Sequence, residues 1–132
     1  MEQILRKLRK SALFLSHKCQ DGNIQSVFSC LEIVWTLYDK IMHWTPETAE
    51  KEDRDFFIIS KGQATLALYP VLIEKGFLGD EGKSLIPTLR KWHSPLQGHP
   101  DMKKLAGVEM STGSLGQGLS AANGMALSAK IY

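Results

Sequence analysis

The run from Ser111 to Tyr132 sets the tightest limit on how this chain can fold. It opens Ser-Thr-Gly-Ser-Leu-Gly-Gln-Gly-Leu-Ser and continues through Ala121, Ala122, Gly124, Ala126, Ser128 and Ala129. The pattern predicts a helix of small side chains, and such a helix buries surface only by letting other backbone come close. Gly113, Gly116 and Gly118 spell G-x-x-G-x-G at its entrance. Free backbone N–H groups and the positive end of the helix dipole there favour an anion or the close approach of a ligand. The plainer alternative is that these glycines serve tight helix packing. A triphosphate-binding P-loop is excluded, because Leu119 stands where the phosphate-contacting lysine belongs and no apolar strand precedes the motif. The order G-x-G-x-x-G is also absent. Lys130-Ile131-Tyr132 carries no C-cap signal, so the expectation is an interrupted chain whose last helix lacks part of its packing neighbour.

The remaining composition is that of one ordinary domain: 132 residues, 43% hydrophobic and 23% charged, enough to bury a core without staples. Two cysteines, Cys19 and Cys30, are too few for a disulfide framework or a zinc site and are expected to be reduced thiols. No apolar run approaches the roughly 18 residues of a membrane helix, and the N-terminus lacks the apolar stretch of a signal peptide. The expected compartment is the cytoplasm, with no membrane partner. Residues 1–18 hold five Lys/Arg against one Glu, leaving eleven basic against thirteen acidic residues elsewhere. That layout argues against a nucleic-acid-binding body.

Glu2 to Lys18 places Ile4, Leu5, Leu8, Ala12 and Leu15 at helical spacing, with Arg6, Lys7, Arg9 and Lys10 mostly on other faces. It reads as an amphipathic packing helix with a solvated basic face. A loop is expected over Gln20 to Val27, then Ser29 as the N-cap of a helix through Leu31, Val34, Trp35, Tyr38 and Ile41, ended by Thr45 and Pro46. Phe56-Phe57-Ile58-Ile59 reads as a short buried parallel strand stopping at Ser60-Lys61-Gly62. Gln63 to Lys75 suggests a helix in which Pro70 makes a kink or a new first turn, closed by Gly76. A short amphipathic segment is expected from Lys83 to Trp92. His93 to Met110 has no periodicity and carries Pro95, Gly98, Pro100 and Gly107, the mark of a long loop serving a site.

In that loop, Gln97-Gly98-His99-Pro100 puts an imidazole between a flexible and a rigid residue, suited to hydrogen bonding or proton transfer. His93, six residues earlier, does not complete a metal site with it. His17 and His43 lie in helical patterns and are expected to be structural. Gly79-Asp80-Glu81-Gly82 reads as a solvated turn.

Together, Asp53-Arg54-Asp55, Ser60-Lys61-Gly62, Leu68-Tyr69, Gln97-Gly98-His99-Pro100 and Gly107-Val108-Glu109 with Ser111 to Ser120 resemble the N-terminal portion of transketolases over nearly all the chain. The resemblance implies an α/β fold, the thiamin-diphosphate-binding fold in part, with residues 1–132 as the N-terminal part of the diphosphate-binding domain. It also implies that Gly113, Ser114, Leu115 and Gly116 approach the cofactor and that His99 lies beside the reacting centre. The implied activity is transfer of a two-carbon ketol unit from a ketose to an aldose.

Two positions depart from the family pattern. Asn23 and Gln63 stand where histidines are usual, and their amides exchange hydrogen bonds but do not titrate near neutral pH. They remain candidate catalytic positions beside His99. The family's Gly-Asp-Gly motif and downstream asparagine, which hold Mg²⁺ or Ca²⁺ against the diphosphate, do not occur in these residues, so metal ligands are expected on other polypeptide. The expectation is a fragment or split subunit completed by a C-terminal transketolase-like half, in a homo- or hetero-oligomer acting on a sugar or sugar phosphate. The competing readings are a non-catalytic interaction module derived from such an enzyme and an unrelated anion-binding domain built on the Gly113 to Gly118 loop.

Overall fold

The computed structural model describes residues 1–20 and 22–131. Its centre is helix α4, Thr65–Glu74 (numbering α1 to α5 in chain order), in which every residue from Thr65 to Ile73 is buried. A helix apolar on all sides belongs inside a protein, and the three helices that precede it pack against it. Pro70 is accommodated within α4, and Gly76 at φ +83° follows its end.

Helix α1, Glu2–Cys19, turns Leu8, Ala12 and Leu15 toward α4. Its basic residues do more than face solvent: Lys7 pairs with Glu74 of α4 at 2.6 Å, and Arg9 pairs with Glu32. The helix closes at Gln20, whose left-handed backbone (φ 51°) lets its N–H reach the carbonyls of Ser16 and His17. His17 and His43 both sit at the surface.

The expected loop over residues 20–27 and the expected Ser29 cap are both corrected. A short helix α2, Ile24–Phe28, begins there, and its N-cap is Asn23, whose Oδ1 accepts from the Ser26 N–H at 3.0 Å. Ser29 closes α2 instead, its Oγ donating back to the Ser26 carbonyl at 2.8 Å. Either residue type can cap; the apolar Val27, fully buried, decides that helical structure starts earlier than the apolar spacing from Leu31 suggests. Helix α3, Leu31–Thr36, runs on into a wider π-type turn, Leu37–Ile41, and ends there. Thr45 and Pro46 open a separate 3₁₀ turn, Pro46–Thr48, joined to Thr48 by a capping box.

The Leu37–Ile41 turn delivers Tyr38 into an aromatic cluster, with ring centroids 5.6 Å from Trp44, 5.3 Å from Phe57 and 6.0 Å from Phe77. Burial there, reinforced by the nearby Glu109 charge, pushes the Tyr38 phenol well above its ordinary range. Arg54 lies over the Trp44 and Phe56 rings and pairs through two nitrogens with Glu109, at 2.6 and 3.1 Å. Both side chains are only 12% exposed. This pair pins the approach to Phe56 against the approach to the glycine loop.

The expected parallel strand at Phe56-Phe57-Ile58-Ile59 is not formed: among the described residues there is no β-strand, and the α/β expectation is met only in its helices. A strand exists through its ladder, and apolar composition supplies no ladder partner. Here the segment is held from across the fold by a side chain instead, the Thr112 hydroxyl donating to the Ile59 carbonyl at 2.7 Å. Phe56 remains 49% exposed. The expected segment from Lys83 to Trp92 is a 3₁₀ stretch, Asp80–Thr88, that begins just after Gly79. Residues 89–116 are irregular apart from isolated turns, as expected for the long loop.

The small-residue helix is α5, Gln117–Ile131. Only Gly118 on it is buried, while Leu119, Leu127 and Ile131 are exposed. Between α5 and the unpaired Phe56–Ile58 backbone lies an apolar groove of about 530 Å³, lined by Phe56, Ile58, Ala122, Met125 and Ala126 among others.

Candidate functional site

Asn23, Gln63 and His99 come from three separate stretches of chain and line one cavity of about 160 Å³. Asn23 arrives at the start of α2, Gln63 on the 3₁₀ turn Gly62–Ala64 that leads into α4, and His99 on the long loop. Cys19, Leu66, Leu89 and Arg90 share the wall. A second, more open cavity of about 720 Å³ adjoins it through Arg90, Gly98 and His99 and continues past Asp101 and Lys103 to Ser111 and Thr112.

The loop that carries His99 is held from the core. Tyr69 of α4 donates its hydroxyl hydrogen to the Gln97 carbonyl at 2.7 Å and accepts from the Gln97 N–H at 3.1 Å. Burial keeps that phenol protonated, far above its ordinary range, so it stays a donor. The Ser94 and Thr88 hydroxyls meet at 2.7 Å, tying the loop to the end of the 3₁₀ stretch. His99 itself is exposed on the cavity rim, with one flank against Gly113, where an added Cβ would stand 3.2 Å from its Cδ2.

The glycine motif separates into different duties. A Cβ at Gly118 would come within 2.7 Å of Ser60 Cα, so this position serves close packing, and the Ser60 hydroxyl accepts from the Leu119 N–H at 3.2 Å. Gly116, at φ +91° with nothing within 4 Å of where a Cβ would stand, gives the loop its turn and leaves its backbone approachable. Ser114, Leu115, Gly116 and Gln117 are all exposed.

Both amides at the departing positions have one end committed to backbone. Asn23 Oδ1 holds the Ser26 N–H, leaving its N–H₂ for the cavity. Gln63 Nε2 donates to the Gly113 carbonyl at 2.9 Å, and its Oε1 is buried with no hydrogen-bond partner among the described residues. Lys61, beside this turn, donates to Ser29 Oγ at 2.9 Å. Cys30, half-buried nearby, has its thiol pKa raised by burial, and neither cysteine is in a disulfide.

The His93–His99 pairing plays no part in the site: His93 turns to the exposed Trp92, ring centroids 5.2 Å apart. Among the described residues no group of three or more His, Cys, Asp or Glu could hold a metal ion, and no helix is long and apolar enough to cross a membrane. Sequence reasoning missed Arg90 and Cys19 as cavity residues. Arg90 reaches the cavity because its backbone takes φ 60° and its N–H bonds the Leu96 carbonyl at 2.8 Å, a conformation that no local motif announces.

Comparison with known proteins matches residues 2–132 to the family described as "Transketolase, thiamine diphosphate binding domain". An apulose-4-phosphate transketolase subunit of Phocaeicola vulgatus is 39% identical over 125 residues, 95% of this chain and 43% of that protein. Ferredoxin fas2 of Rhodococcoides fascians is 46% identical over 103 residues, 78% of this chain and 33% of that protein. Two cysteines cannot supply the four thiolates of a ferredoxin cluster, so the likeness lies elsewhere than in a cluster site. Among solved structures, transketolase from Leishmania mexicana superposes with a TM-score of 0.83 at 25% identity, covering 95% of this chain and 18% of that one. The chain thus spans less than half the length of these relatives.

Proposed function

Because the chain belongs to the transketolase family, we propose that it is the cofactor-side part of an enzyme moving a two-carbon ketol unit from a ketose to an aldose. The site is completed by further transketolase polypeptide, in a cytoplasmic homo- or hetero-oligomer. The observation that carries this reading is the convergence of Asn23, Gln63 and His99 on one cavity beside Gly113. Thiamin diphosphate, when bound, supplies the carbon–carbon cleavage chemistry that protein side chains lack. The loop of half-buried Gly113 and exposed Ser114, Leu115 and Gly116 is suited to hold it, with Mg²⁺ or Ca²⁺ held by carboxylate and amide ligands outside these residues. His99 holds or moves a proton at the sugar's reacting end, and Asn23 donates a hydrogen bond from its amide to a sugar or sugar-phosphate oxygen.

The need for a partner follows from charge and packing. A diphosphate brings several negative charges, whereas a helix N-terminus offers about 0.3–1 kcal/mol to an exposed anion and at most about 2 when partly buried. The apolar groove between α5 and Phe56–Ile58 supports the same reading, since a surface of that kind is suited to more polypeptide. The test is titration calorimetry with thiamin diphosphate and Mg²⁺. The isolated chain is expected to bind no tighter than millimolar, and the chain assembled with a transketolase C-terminal half is expected to bind and turn over; micromolar binding by the isolated chain refutes the half-site account. The rival reading, a non-catalytic interaction module, is motivated by the two amides that cannot carry a proton. It requires assembly with no cofactor binding in the same titration.

A further inference from the structure

We infer that Gln63 is a positioning residue, a non-titrating clamp that fixes the glycine loop in the form the cofactor meets; this rests on the functional reading above. Three observations converge on it. The hydrogen bond from Gln63 Nε2 to the Gly113 carbonyl spans fifty positions of sequence and is the polar link by which the turn at 62–64 grips the loop. Beside it, Gly62 lies so close that a Cβ there would stand 2.6 Å from the Thr112 carbonyl oxygen, so the two backbones are already in contact and the amide fixes which way the next carbonyl turns. The other face of Gly113 meets the His99 ring. One amide therefore sets the position of a segment that touches the imidazole on one side and continues into exposed Ser114 and Leu115 on the other.

The polarity of this clamp is determined. Only an N–H can satisfy a carbonyl, so the amide is oriented with its nitrogen toward Gly113, and its oxygen is shut away from solvent. Gln63 thus shapes the site through the loop rather than by presenting an acceptor to the sugar. A neutral amide donates at every pH in the working range. An acid in its place donates only while protonated, and below its own pKa the two become alike. Among the described residues the charged or titratable groups sharing the cavity are Cys19 from α1 and Arg90 and His99 from the long loop, so any test by pH is read as variant against parent at each pH.

The experiment uses the assembled enzyme and three proteins: the parent, Gln63→Leu and Gln63→Glu. Two readouts are taken, amide hydrogen exchange across residues 110–120 without cofactor, and calorimetric affinity for thiamin diphosphate with Mg²⁺ from pH 5 to 8. In Gln63→Leu, exchange is expected to accelerate in residues 113–117 and not in α1 or α4, and the cofactor dissociation constant to rise about tenfold, the worth of one neutral hydrogen bond. In Gln63→Glu, the same weakening is expected at pH 8, where a carboxylate faces a carbonyl, with recovery toward the parent value as pH falls to 5 and the acid regains its donor. Loop exchange equal to the parent's in Gln63→Leu, or a Gln63→Glu affinity that tracks the parent at every pH, overturns the clamp while leaving the functional reading in place. Failure of the parent assembly to bind thiamin diphosphate overturns the functional reading itself.

Discussion

Replacing Gly113 separates its part in the site from any part in stability. An alanine methyl at this position would stand 3.2 Å from His99 Cδ2 and 3.8 Å from its Cγ and Nε2. Carbon atoms prefer about 3.5–4.0 Å, so the ring retreats by roughly half an ångström or less. Valine adds γ-carbons about one bond length, ~1.5 Å, further out, and pushes the imidazole by about 1 Å or more. Because His99 is exposed, its ring yields into solvent without disturbing the core. The stability change of Gly113→Val is therefore expected within about 1 kcal/mol, in the range of surface substitutions. A misplacement of about 1 Å in a group near the reacting centre costs about 10²-fold in rate, with Gly113→Ala intermediate. Cofactor affinity should weaken too, since the same loop carries Ser114 and Leu115. The check is turnover and calorimetry of the assembled enzyme beside a urea melt of the same variant. Retention of parental turnover by Gly113→Val, with the protein folded, refutes the placement of His99 and this loop at the reacting centre.

Changing Asn23 to histidine should shift the assembled enzyme toward ordinary phosphorylated ketose donors, a well-placed proton-transfer group being worth about 10²–10⁴-fold; an unchanged donor profile by coupled assay removes this position from donor control. Asn23→Ala removes the cap of α2 and should cost about 1 kcal/mol in a denaturant melt, whereas Asn23→Ser should retain most of the stability. Glu109→Leu removes both acceptors of the bidentate Arg54–Glu109 pair and leaves a guanidinium only 12% exposed with backbone carbonyls alone, which should cost up to about 3 kcal/mol in a urea melt, while replacing both partners with apolar residues should cost much less. The Asp39 carboxyl is held below its ordinary pKa, first by its hydrogen bond from Lys75, so the stability it contributes is present above the unfolded value of about 3.9 and is lost as pH falls through the lower folded value; Asp39→Asn should flatten that acid limb of a stability–pH curve.

The helices are legible where amphipathic spacing or apolar density is strong. Leu8, Ala12 and Leu15 do face the core, and the Gln63–Lys75 pattern becomes a buried helix despite Pro70. The long loop and its histidine are legible because prolines and glycines break both periodicities at once. The apolar run at Phe56–Ile59 misleads because four such residues report burial on a sheet only if a partner strand is present, and none of the described residues provides one. Ser29 misleads as a cap because it and Asn23 carry equivalent capping chemistry; buried Val27 resolves the choice, and its burial is a tertiary fact. Arg90 is invisible for a similar reason, since a left-handed arginine is imposed by the fold around it.

The glycine motif shows how much a spacing pattern leaves undivided. Written as G-x-x-G-x-G it reads as one anion cradle, yet Gly118 makes room for Ser60, Gly116 makes a turn, and Gly113 makes room for an imidazole. Gly118→Ala would therefore fail through packing, because Ser60 Cα is 2.7 Å from the new methyl and backbone does not yield as a side chain does. Gly116→Ala would fail through conformation, with no clash at all, at about 1–2 kcal/mol for a left-handed residue. Only Gly113 couples the loop to a group capable of proton transfer. That difference is why substitutions at neighbouring glycines should separate in a melt before they separate in an activity assay.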